Sequence, residues 1–284
     1  MREEKPKFAK KSLGQNFLVD KVAIQKIVDA VPSEIPLLLE IGPGRGALSL
    51  GLAKKAAKYC VLEKDDVFAK EIGETIRIQG QEEVFVFHTD ALDFDWEKLW
   101  TETGVAANTQ LVVCANLPYN VATEILFRLL ERQDRISKMV LMFQKEVGQR
   151  IAARPNSKAY GNISVAAQNF YNVSMQQTLK PTAFRPSPKV ESAVLVFERR
   201  EKPVLPFKDR EHFLRFHQLV RVCFSHRRKT LENSLSMELG RTEWGKFAEK
   251  KVLQEILARA KIDGQRRAET LSIEEFGAIF AELQ

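Results

Sequence analysis

The chain has 284 residues, more than one hydrophobic core usually serves, so two domains are expected. Its hydrophobic content of 44% is enough for real cores and excludes a polar, disordered chain, and no uninterrupted apolar run is long enough to span a bilayer. Lys+Arg of 44 against Asp+Glu of 37 gives a net charge of +7, a basic excess that favours an anionic partner.

The start of the chain carries Arg2, Lys5, Lys7, Lys10 and Lys11, a basic arm whose first residues read most simply as a solvated terminus. No apolar signal core accompanies them, so a cytoplasmic protein is expected. Residues 37–41 (LLLEI) read as a short buried strand. The turn Gly42-Pro43-Gly44-Arg45-Gly46 follows, and residues 47–55 read as a helix. Strand, glycine-rich turn and helix is a nucleotide-binding arrangement, because glycines let a ligand approach the backbone closely. Residues 59–63 form a second strand that ends in Glu63, roughly 20 residues after the turn, where an acid can reach a ribose hydroxyl. A third strand, 84–88, runs into Thr89-Asp90, and a fourth, 111–115, runs into Asn116. Any one of these acids is simply explained as a helix cap. Four polar features at four successive strand ends describe a crest for a nucleoside.

Residues 138–144 are expected to be the fifth strand, and 171–177 with 192–198 a closing pair. Alternating strand and helix patterns predict an α/β fold: a mainly parallel, Rossmann-like sheet with helices on both faces. Two prolines among charged residues over 201–206 read as a linker. Domains at 1–202 and 203–284 follow, the second one smaller and helical. Phe213, Phe216, Leu219, Val220 and Phe224 recur at helical spacing and read as core. Further helices are predicted over 246–260 and 272–283, the last opened by a Ser272/Glu275 capping box. Cys60, Cys114 and Cys223 show no metal spacing, nor do the four histidines, so no metal is expected.

The most informative motif is Asn116-Leu117-Pro118-Tyr119 at the end of the fourth strand, where open α/β sheets place their ligands. The exocyclic amine of adenine is a poor nucleophile, because its lone pair is delocalised into the ring. A carboxamide oxygen and a backbone carbonyl can accept its two N–H hydrogens and favour a pyramidal nitrogen. Pro118 stiffens the turn, and the Tyr119 ring can stack on a base, a role that needs the ring and not the hydroxyl.

Taken in order, these motifs resemble the KsgA-type small-subunit ribosomal RNA adenine dimethyltransferases over nearly the whole chain. The residues that carry the resemblance are 10–18 (KKSLGQNFL), 40–46 (EIGPGRG), Glu63-Lys64-Asp65, Asp90-Ala91-Leu92, Asn116-Leu117-Pro118-Tyr119, 184–192 (FRPSPKVES) and 224–229 (FSHRRK). His226 stands where Gln is usual, and Glu191 where Asp is frequent; both changes keep polarity. The resemblance implies S-adenosylmethionine as methyl donor. It implies that Glu63 binds its ribose, Asp90 its adenine amino group and Gly42 its backbone-facing side, with Asn16 and Leu18 closing over it and Asn116 reaching the donor too. Asn116, Leu117, Pro118 and Tyr119 would hold the target base, and Phe184 would support its far side. The implied substrate is two adjacent adenosines in a hairpin loop near the 3′ end of small-subunit rRNA, met within a pre-30S particle by a monomer. Arg227, Arg228 and Lys229 are candidates for phosphate contacts, although a solvated charge run is the simplest reading of three adjacent cations. Three rival functions stand beside this one: a large-subunit methyltransferase of the Erm type, a nicotinamide-dependent dehydrogenase, and a noncatalytic assembly factor.

Overall fold

The computed structural model describes residues 15–80 and 83–284. The basic arm from Arg2 to Lys11 therefore lies outside the described residues. In chain order the elements are β1 (Phe17–Leu18), α1 (Lys21–Ala30), β2 (Ile35–Ile41), α2 (Ser49–Ala53), β3 (Ala56–Glu63), α3 (Asp66–Ile78), β4 (Val84–His88), α4 (Lys98–Thr103), β5 (Leu111–Asn116) and α5 (Ala122–Leu130). They continue with β6 (Ile136–Gln144), α6 (Lys145–Ile151), α7 (Asn162–Phe170), β7 (Tyr171–Leu179), β8 (Phe184–Arg185), β9 (Ser192–Arg199), α8 (Arg210–Phe224), α9 (Leu231–Glu238), α10 (Lys250–Arg259) and α11 (Ile273–Glu282).

The chain divides into two compact units. The first runs to Gly148 and resumes over Ser174–Arg199; the second holds Gln149–Val173 and Arg200–Gln284. The first unit is built on a seven-stranded sheet of order β4-β3-β2-β5-β6-β9-β7. Strands β2 to β6 run parallel, and β9 returns antiparallel to β6. This is the Rossmann-like α/β architecture expected from the alternating patterns. Its central strands are apolar throughout because helices cover both faces of a parallel sheet. Leu37, Leu38 and Leu39 of β2 are fully buried, as are Leu111 and Val113 of β5. Burying each such side chain contributes about 1.5–3 kcal/mol. From β2 the chain steps outward through β3 to β4, then crosses back to place β5 on the other side of β2. That reversal opens a crevice at the carboxyl ends of β2 and β5, where ligands bind in such sheets.

Local chemistry explains the helix starts. Asp20 accepts from the amides of Val22 and Ala23 to open α1, and Asp65 accepts from Val67 and Phe68 to open α3. Ser272 and Glu275 form the capping box of α11. Two predicted helices are shorter than the sequence suggests. The one over 47–55 begins only at Ser49, after Gly46 turns the chain with a φ of 76°. The one over 246–260 starts as a single tight turn, Gly245–Phe247, because Glu249 is extended ahead of α10.

The second unit packs its own core around Tyr160, Val165, Phe216, Leu219, Leu253 and Phe276. Sequence patterns put the boundary at 202/203, whereas Gln149–Val173 packs with the C-terminal helices. Asn169 supplies the reason. Fully buried, it donates to the carbonyl of Leu205 and accepts from its amide, so the Pro203–Pro206 stretch is fastened to α7.

Candidate active site

The parallel registers align four strand ends. Ile41 pairs with Leu62 and with Ala115, and Glu63 pairs with His88. Gly42, Glu63, Asp90 and Asn116 therefore emerge together, and all four line one pocket of about 160 Å3. Asn16 and Leu18 from the segment before α1 line it as well, as do Leu117, Pro118 and Tyr119.

Gly42 has a φ of 65°, and no atom stands within 4 Å of where a Cβ would be. The space beside the backbone there is open, so a ligand can approach it closely. Gly44 answers a different demand: a Cβ there would sit 2.9 Å from the Phe17 ring. Phe17 packs edge-on against Phe68, and the Arg45 guanidinium lies over the Phe17 ring, 4.6 Å from its centroid.

The two carboxylates of the crest are held differently. Glu63 is buried; its Oε2 accepts from the Gly44 amide at 3.0 Å and its Oε1 from the Asp65 amide at 2.8 Å. Burial raises its pKa against these two bonds. A carboxylate has about four acceptor sites, so the group keeps acceptor capacity beyond its bonds to the backbone. Asp90 is half-buried; burial pushes its pKa up, but the Leu92 amide and the Lys64 ammonium 2.7 Å away outweigh it and hold the group below the usual range. It remains an anionic acceptor suited to an amino group.

Asn116 shows the most specific geometry. Its Nδ2 donates to the Asn16 carbonyl at 3.1 Å, which leaves the carboxamide oxygen as the acceptor end presented at the pocket. The turn beyond is closed by the Val121 amide donating to the Pro118 carbonyl at 3.1 Å. Leu117 is buried and anchors the turn, while Tyr119 stays half-buried at the pocket.

Phe184 is not brought to the pocket. It is fully buried in the core of the first unit, and its backbone pairs with Leu18, as that of Arg185 pairs with Phe17. Its visible work is to hold β1 in place. Sequence reasoning also passed over Lys64, Ser192, Phe17 and Glu40. Glu40 lies in the wall of the pocket, fully buried, accepting from the hydroxyls of Ser49 at 2.6 Å and of Tyr59. Burial raises its carboxyl to about 7, against these two bonds and with the help of the Glu63 charge. The acid in 40–46 was visible in sequence, but its buried partners were not.

Carboxylate acceptors at Glu63 and Asp90 and open backbone at Gly42 fit S-adenosylmethionine. Among the described residues, no cluster of His, Cys, Asp or Glu could hold a metal ion, and no helix is long and apolar enough to cross a membrane. Fold and site together define a Rossmann-like, S-adenosylmethionine-dependent methyltransferase class.

Comparison with known proteins carries this to a family. Residues 7–278 match the family model for ribosomal RNA adenine dimethylase. Relatives from Bacillus cereus and Bacillus anthracis, named ribosomal RNA small subunit methyltransferase A, are 42% identical over 272 residues, covering 95% of this chain and 89% of theirs. The chain belongs to the ribosomal RNA adenine dimethylase family. Its fold is also that of a dimethyladenosine transferase from Plasmodium falciparum, with a TM-score of 0.74 at 23% identity over 93% of this chain and 95% of that one. The 23S rRNA methyltransferase ErmE shares it too, with a TM-score of 0.64 at 22% identity over 94% and 99%.

Proposed function

We propose that this enzyme dimethylates the N6 amines of two adjacent adenosines in a hairpin loop near the 3′ end of small-subunit rRNA. The reaction would accompany ribosome biogenesis, with the enzyme acting as a cytoplasmic monomer on a pre-30S particle. The observation that carries the reading is Asn116, whose amide is fixed by the Asn16 carbonyl so that its oxygen accepts at the end of β5.

S-adenosylmethionine supplies a methyl group already activated by its sulfonium, so the site needs no strong base. The chain's task is to bind, orient and exclude water. Glu63 takes the ribose hydroxyls while its remaining lone pairs hold Gly44 and Asp65 in place. Asp90 accepts from the cofactor's adenine amino group, and Gly42 lets the cofactor lie against the backbone. Asn16 and Leu18 cover it. The target base leaves its stack, which costs least in a single-stranded loop, and rests on the Tyr119 ring. The Asn116 oxygen and a backbone carbonyl of the turn accept the N6 hydrogens. The nitrogen lone pair would then be released from the ring; forming the N–CH3 bond would break the sulfonium's S–CH3 bond and leave S-adenosylhomocysteine, and the N6 proton would pass to solvent by way of the acceptors of the turn.

Unmethylated small and large subunits, each incubated with labelled S-adenosylmethionine and followed by mapping of the label, test this reading. Label on two adjacent small-subunit adenosines is expected. Label confined to large subunits would assign the enzyme an Erm-type target.

A further inference from the structure

The Tyr119 hydroxyl lies 2.6 Å from the hydroxyl of Ser192, which is fully buried at the first position of β9, opposite Gln144. At the other end of the same segment, Phe184 and Arg185 pair with Leu18 and Phe17. Immediately before them, Asn16 fixes the amide of Asn116. Residues 184–192 thus reach both ends of the Asn116–Tyr119 turn: through β1 they support the amine acceptor, and through Ser192 they tether the stacking ring.

We infer that Ser192 is a positioning residue that sets the Tyr119 ring, and that its effect falls mainly on the second of the two methyl transfers to each adenosine. The inference rests on the dimethylation proposed above. An unmethylated adenosine offers two N–H groups to the acceptors of the turn. After the first transfer the amine offers one. Hydrogen bonding then orients the base less strongly, and stacking carries more of its alignment. A ring freed from Ser192 can tilt within its half-buried seat, so the transfer that depends most on stacking suffers most. On this account the Tyr119 hydroxyl is not dispensable, contrary to the expectation from stacking alone.

The experiment compares the parent with Tyr119→Phe, Ser192→Ala and the double variant in single-turnover methylation of unmethylated small subunits, separating monomethyl- and dimethyladenosine by mass. Each single variant is expected to slow the second transfer about tenfold, the scale of one hydrogen bond, and the first by less than about threefold. Monomethyladenosine should accumulate, the double variant should be no slower than either single one, and affinity for S-adenosylmethionine should be unchanged. Tyr119→Phe keeps the test decisive if Ser192→Ala fails to fold. A parental ratio of products in Tyr119→Phe, or effects that multiply in the double variant, overturns the inference while leaving dimethylation intact. A parent that adds no second methyl group overturns both.

Discussion

The strand-end crest of the first unit and the Arg227–Lys229 run of the second are both rich in charge, yet the fold treats them in opposite ways. In the crest every ionisable group is committed locally. Glu63 binds two backbone amides, Asp90 binds an amide and Lys64, and Glu40 is sealed beneath with Ser49 and Tyr59. Groups held by such partners are preorganised, which is what stabilising a transition state requires. In the basic run only Arg227 is committed. It donates to the carbonyls of Lys158 and Tyr160 at 2.7 Å, lies 3.4 Å from Glu269, and sits over the Phe224 ring. Arg228 and Lys229 are exposed and make no ion pair among the described residues. One region is suited to chemistry and the other to a diffuse, salt-sensitive hold on phosphate. Adjacent cations that are paired so differently show that a charge run is not a unit.

The strongest test of the contrast is Asn116→Ala. Removing a preorganised polar group from the reacting centre should lower the single-turnover rate about 10²–10³-fold with RNA affinity nearly unchanged. An unaltered rate constant on saturated RNA would remove Asn116 from the chemistry.

Glu40→Gln probes the floor of the crest. With a folded pKa of about 7 against an ordinary 4.5, the folded protein holds a proton that the unfolded chain has released between those values. The parent's stability from this group is full below pH 4.5 and declines as pH rises through about 7. The amide has no such proton, so the stability of Glu40→Gln relative to the parent should climb between pH 5 and 8, by up to roughly 3 kcal/mol. Denaturant titrations across that range would show parallel curves if the group were ordinary.

Glu63→Ala should weaken S-adenosylmethionine binding by about 1–3 kcal/mol by calorimetry. Part of the loss should come from the Gly44 turn, which loses its acceptor. Unchanged affinity would make Glu63 a structural cap alone.

The smallest effects separate the cations. Arg228→Gln and Lys229→Gln should each reduce the salt slope of RNA binding by about 1, with cofactor affinity constant. Arg227→Gln should instead lower stability by about 1 kcal/mol, a charged hydrogen bond discounted for exposure, and leave the slope alone. A slope that falls only for Arg227 would reverse the assignment.

Much of this was legible in the chain itself. Apolar runs 37–41, 59–63 and 111–115 mark parallel strands because both faces of each are covered, so hydrophobicity is continuous, and 84–88 joins them as a partly buried edge strand. Gly42, Glu63, Asp90 and Asn116 are legible because each stands at or just beyond the end of such a run, and a parallel sheet must bring those ends together. Family membership followed from the order of motifs. What the sequence could not contain is the side-chain pairing across long separations. The Asn116 amide is fixed by the Asn16 carbonyl 100 residues away, and the Tyr119 hydroxyl meets Ser192 at a separation of 73. Neither bond has a local pattern, since the first depends on β1 pairing with β8 in a small sheet of its own and the second on β9 joining the main sheet. Phe184 reads as a base-supporting aromatic by motif, yet it is a core residue by packing. The three cations were indistinguishable in sequence. Only the tertiary structure separated them, because a guanidinium becomes a staple only where backbone carbonyls from a distant segment come within reach.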